Sequence, residues 1–166
     1  VDGEHSFKTL FLKNKATVTH SGATTTTESK LDLNVEDIVG IDATSSIDVS
    51  GKGYLGAYQG GNNTQRGRTS GNLNGSSLRS GGSYGGAGGI YGGDRDGLIS
   101  KSNDGYGDYR NPIELGSGGG SWDGNRPGGN GGGLIRIKTG SMNIEGQILS
   151  NGGTVSSDHN GQGSGG

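Results

Sequence analysis

The sequence has no cysteine, only two prolines among 166 residues, and no excess of charge of either sign. Without cysteine the chain neither needs nor risks disulfides, which leaves its compartment open. With 14 basic and 16 acidic residues the net charge is -2, so there is no electrostatic footprint for nucleic acid or for an anionic membrane. No apolar run approaches the ~20 residues of a membrane-spanning helix. The opening VDGEHSFKTL lacks the apolar stretch of a signal peptide. The first residue is not Met and the last are GQGSGG, as expected of a piece of a longer protein. Helical periodicity is also missing: no window carries apolar residues at i, i+3, i+4 and i+7.

Glycine is what the sequence has in quantity, 40 residues in all. Residues 1–50 hold three, 51–133 hold 29 and 134–166 hold eight. The middle block also contains all six tyrosines and the one tryptophan. It lacks the G-X-Y period and the proline of collagen.

Outside that block the period is two. Phe7, Thr9 and Phe11 alternate with polar neighbours, as do Leu31, Leu33 and Val35, then Ile47 and Val49, then Ile135 and Ile137, then Met142 and Ile144. Such short runs, ending in Gly, Asn, Asp or Ser, predict β-strands. Two segments look like copies: LNVEDIVGIDATSSIDVSGKG (33–53) and IRIKTGSMNIEGQILSNGG (135–153). FKTLFLKNKATVTHSG (7–22) is a fainter third. Each is the length of one solenoid coil, and about three coils must stack to bury an inner face. The predicted fold is therefore all-β, with parallel β-helix or β-solenoid coils; a β-sandwich is the competing architecture. The expected organisation is one module, with coils over 1–50, a glycine-rich insertion over 51–133, and a returning coil with a glycine-rich tail over 134–166. Leu33, Val35, Ile41, Ile47, Val49, Ile135, Ile137 and Ile144 are expected to form one buried column.

The insertion reads either as a tether or as close-packed backbone. In GSYGGAGGIYGG (82–93) the glycines at 82, 85 and 88, and at 86, 89 and 92, keep a local period of three. That suits polyproline-II geometry, which has three residues per turn. A tether has no use for interleaved Tyr84, Tyr91, Tyr106, Tyr109 and Trp122, so a packed, polyproline-II-like insertion is expected, with Gly85, Gly88 and Gly89 against neighbouring backbone.

HSFKTLFLKNKATVTHS, LDLNVEDIVGIDATSSIDVSGKGYLG, YGDYRNPIELGSGGG and GGNGGGLIRIKTGSMNIEGQILSNGG together resemble a glycine-rich parallel β-helix module of large secreted or surface-attached, adhesin-like bacterial proteins. The resemblance covers nearly the whole chain. It implies an extracellular location, and neighbouring modules or copies of the same protein stacking on open solenoid ends. It carries no activity, because fold-level likeness does not supply a site.

Three chemistries remain to be weighed. A glycosidase needs two carboxyl groups ~5–10 Å apart, and Asp94 with Asp96, or Asp104 with Asp108, are the pairs available. Their setting, GGDRDG and SNDGYGDYR, is what turns require in any case, so no enzyme is expected. His5, His20 and His159 form no triad with a serine and a carboxylate. Calcium is the one cofactor considered, with Asp94, Asp96, Asn103, Asp104 and Asp108 as candidate oxygen ligands, although DRDG departs from an EF-hand loop after its third position. Surface glycans are the candidate ligand. Tyr106, Tyr109 and Trp122 would stack on sugar rings while Arg110 and Asp123 meet hydroxyls; against this, the aromatics also suit the seam between glycine segments and coils. The glycine run 116–133 lacks the Gly-Lys-Ser/Thr ending of a phosphate loop. The expected function is that of a non-catalytic extracellular structural or adhesive module.

Overall fold

The computed structural model describes residues 1–91, 99–108, 110–155 and 161–166. Three passes of the chain lie side by side. The first contributes β1 (Gly3–Leu12) and β2 (Thr17–Val18), the second β3 (Leu31–Ile41) and β4 (Ser46–Asp48). Between the second and third lie β5 (Arg68–Thr69) and β6 (Leu73–Asn74), and the third pass contributes β7 (Ile135–Ile144) and β8 (Gln147–Leu149). The long strands form one parallel sheet in the order β1-β3-β7, and the short ones another in the order β2-β4-β8. β5 and β6 are a small antiparallel hairpin around Ser70–Asn72, the only helical turn among the described residues.

Alternation decides which side chains go in. Leu31, Leu33, Val35, Val39 and Ile41 of the central strand are buried and join Leu12 and Ile47 in the main core. The rhythm breaks at Glu36 and Asp37, a β-bulge: they stand opposite Lys8 alone on β1 and Gly140 alone on β7. A Cβ at position 140 would lie 2.9 Å from the Glu36 carbonyl oxygen, so glycine leaves room for the displaced backbone. At the corner between the sheets, Asp42 accepts from Asn14 N and Thr44 N, both at 2.9 Å. These bonds, with those from the Ser45 and Thr44 side chains leading, hold its carboxyl at a pKa of about 2.

Among the described residues the sheets stop at three strands each and do not close, which corrects the expected parallel β-helix: the passes stack in register, but no solenoid forms there. The physical reason lies in the third side. A further sheet would need an alternating row of apolar residues, and the block between β4 and β7 supplies glycine instead. Its backbone packs in a different way. Residues 115–121 are all buried. They exchange backbone hydrogen bonds with five other segments: Tyr54 N to Gly116 O, Gly118 N to Arg68 O, Gly120 N to Ser80 O, Gly119 N to Gly129 O, and Ser164 N to Ser117 O, all 2.8–2.9 Å. A strand in a sheet has two neighbours, so a sheet does not describe this block. Glycine is required because the carbonyls come so near: a Cβ at 118 would stand 2.1 Å from Leu55 O, and one at 131 would stand 1.8 Å from Gly116 O.

The single apolar column also needs correction. Leu33, Val35, Ile41, Ile47 and Val49 are buried, but Ile135 and Ile137 are half-buried and Ile144 is 37% exposed, because β7 is a sheet edge. The stretch opening at Gly82 is hydrogen-bonded into the block as far as its described residues run: Gly81 N donates to Gly89 O and Gly85 N to Tyr106 O, both at 2.8 Å. Gly88 packs as expected, with an added Cβ 2.4 Å from Gly81 O. Gly85 and Gly89 have open space where a Cβ would go.

Candidate functional site

Two aromatic groups flank the glycine block. The first is a seam around Tyr106. Its hydroxyl donates to Leu115 O at 2.5 Å, and its ring meets Tyr54 and Tyr84 edge-on, with centroids 6.5 and 5.2 Å away. Ser117 Oγ can donate to Ser83 O (2.8 Å) or to Tyr106 Oη (3.0 Å). Tyr54 packs with Ala23, Leu115 and Leu134 in a second apolar cluster. Burial pushes the hydroxyls of Tyr54 and Tyr106 far above the ordinary tyrosine range, so both stay neutral. Gly107 seats the third ring: it has φ +91°, and a Cβ there would lie 2.7 Å from Tyr84.

The second group is a stack. The Arg79 guanidinium lies 4.5 Å from the Tyr91 ring centroid and 5.1 Å from that of Trp122. Arg79 Nε is buried without a hydrogen-bond partner, so the π faces are its surroundings there. No spacing in the sequence links Arg79 or Tyr91 to Trp122.

The expected glycan set is therefore divided. Tyr106 belongs to the seam and Trp122 to the stack. Asp123, half-buried, accepts from Asn125 N at 3.0 Å, and Arg110 is exposed beside Asp108. Tyr109 lies outside the described residues.

Of the carboxylates considered for calcium, Asp94 and Asp96 also lie outside the described residues. Asp104 is exposed, and Asp108, likewise exposed, accepts from Arg110 N at 2.8 Å in a local turn. Asn103 is a structural tie. Its Oδ1 accepts from Ser83 N at 2.9 Å, and its Nδ2 donates to Thr69 Oγ1 at 3.1 Å and to Asp104 O at 2.8 Å. Among the described residues, no three His, Asp or Glu side chains gather as metal ligands.

His20, a deeply buried titratable group, joins sheets to block. Its Nδ1 lies 2.7 Å from Ser21 O, and Leu134 N donates to its Nε2 at 3.2 Å. A carbonyl can only accept and an amide N–H can only donate, so the ring is neutral with its proton on Nδ1. Desolvation lowers its pKa below 6.5. Gly133 is required alongside, because a Cβ there would come 2.3 Å from Nε2.

These arrangements hold backbone and rings in place. Comparison with family models, with curated proteins and with solved structures brings out no match for this chain.

Proposed function

We propose that the chain is a non-catalytic structural or adhesive module of a large secreted or surface-attached protein, in which the glycine block provides a stiff face. One observation carries the reading. Residues 115–121 are buried and tied by backbone to five segments, an investment in rigidity with no reactive group at its centre. Loops that serve catalysis or ligand closure are drawn from the least stable parts of a fold, and this segment is the opposite. The rival glycan reading is less favoured, because Tyr106 is held in the seam and the Arg79 guanidinium stacks on the rings of Tyr91 and Trp122. Of the rival calcium set, Asp104 and Asp108 are exposed, Asp108 being engaged in a turn, and Asp94 and Asp96 lie outside the described residues. The surface location rests on the sequence resemblance.

Amide hydrogen exchange tests the rigid face. Protection over 115–121 equal to that over 135–138 is the expected result, and exchange at the free-chain rate would remove the basis of the proposal. Incubation with a panel of polysaccharides tests the rest: no cleavage is expected, and cleavage of any would make the protein an enzyme.

A further inference from the structure

We propose that a second copy of this chain docks head-to-tail on the open sheet edge, with β7 of one copy pairing in parallel with β1 of the next. The two edges match in four respects. First, both strands are ten residues long. Second, β1 and β7 already share a common frame, because each is registered to β3. Gly3, His5, Leu10 and Leu12 stand at the levels of Leu31, Leu33, Val39 and Ile41, as do Ile135, Ile137, Met142 and Ile144. Third, only the central strand carries the bulge. Phe7, Lys8 and Thr9 would meet Thr139, Gly140 and Ser141 one for one, so the new pair runs ten residues without a register shift. Fourth, charge is complementary. Glu4 shares its level with Asp32 and Arg136, so Arg136 of one copy would face Glu4 of the next, as it already bridges to Asp32 at 3.7 Å.

The apolar residues left at this edge make the same case. Met142 is 48% exposed and Ile148 38%. In the docked pair Met142 would lie on Leu10 and Ile144 on Leu12, while Ile148 would lie on Val18 across the short sheet, because Val18 and Ile148 share the level of Ile47. Among the described residues, no backbone hydrogen bond reaches the outer side of β1 or β7. The contact uses two different surfaces, so each docked copy presents a fresh edge and copies add head to tail beyond a dimer, into a ring or a filament. Unpaired parallel edges invite addition of a strand; here register, length and charge select this chain's own β1.

The inference deepens the structural reading, yet it can fail alone: a monodisperse monomer with a protected glycine block would end the stacking and leave that reading standing. The test is sedimentation over a concentration series. Wild type should form a ladder of oligomers that lengthens with concentration. Met142→Lys changes an exposed side chain, so it should melt like wild type while associating at least ~10-fold more weakly, because the new charge would be buried at the contact. Glu4→Arg and Arg136→Glu should each weaken association when alone and restore it when mixed, since each then meets its opposite charge. The proposal is overturned if wild type stays monomeric, if it stops at a dimer as a symmetric edge pair would, or if Met142→Lys leaves association unchanged.

Discussion

The two sheets and the glycine block bury their backbones by opposite means. In the sheets, Leu33, Val35 and Ile41 separate the backbone from water with apolar side chains, and each strand bonds to at most two others. In the block there is almost no side chain to interpose, and residues 115–121 touch the peptide groups of five segments. A sheet core can adjust to a changed side chain by rotamer shifts. A core made of peptide groups cannot, because the neighbour in the way is itself backbone. Ordering glycine also costs more than ordering other residues, roughly 0.5–1 kcal/mol relative to Ala. Hydrogen bonds contributing about 0.5–1.5 kcal/mol each have to offset it.

Substitutions can break this comparison. The largest effect is expected from Gly118→Ala. One methyl group would collide with Leu55 O, and the loss should reach about 3 kcal/mol or more, the upper end for overpacking. Urea denaturation measures it, and a midpoint near wild type would mean that the block yields. Leu33→Ala, which removes far more volume from the sheet core, should cost about 2–5 kcal/mol by leaving a cavity. Its spread depends on how far the sheets collapse, and a smaller loss than for Gly118→Ala would sharpen the contrast.

Acid comes next. His20 has a folded pKa below its ordinary 6.5, so the unfolded chain takes up the proton first. The stability it contributes is complete above pH 6.5 and declines as pH falls from there toward the folded value. Protonated Nε2 would face Leu134 N with two donors and no acceptor. Melting temperatures measured downward from neutral pH should fall in that window, and His20→Ala should flatten this part of the profile. The smallest effect belongs to Gly89→Ala. With no atom within 4 Å of the added Cβ, the change should be neutral or stabilise by about 0.4–1 kcal/mol through the unfolded chain. A loss there equal to that of Gly118→Ala would show that glycine content, not contact, governs the block.

The repeating passes were legible because strand periodicity is written in side chains: Leu31, Leu33 and Val35 alternate, and Ile135 and Ile137 answer them. The failure to close was not legible. Nothing in an alternating run says how many strands will gather beside it, and glycine carries no pattern that names its neighbours. Tyr106 in a seam was foreseen as the alternative to a sugar shelf. The Arg79 stack was not, because cation and rings meet across the fold. Gly85 and Gly89 fit the three-residue rhythm as well as Gly88 does, yet only Gly88 lies against backbone. Spacing records which positions are small, and contact depends on what the other segments do.

The crowded segment at 115–121 has one more consequence, in heat capacity. Unfolding apolar surface raises heat capacity by about 0.45 cal/K/mol per Å², whereas exposing polar surface lowers it by about 0.26. The sheets release carbon to water and the block releases mainly peptide groups, so the two contributions oppose each other within one chain. The stability curve is flattened as a result, and the fold loses less on cooling than a side-chain core of the same size, whose driving force fades as water grows cold.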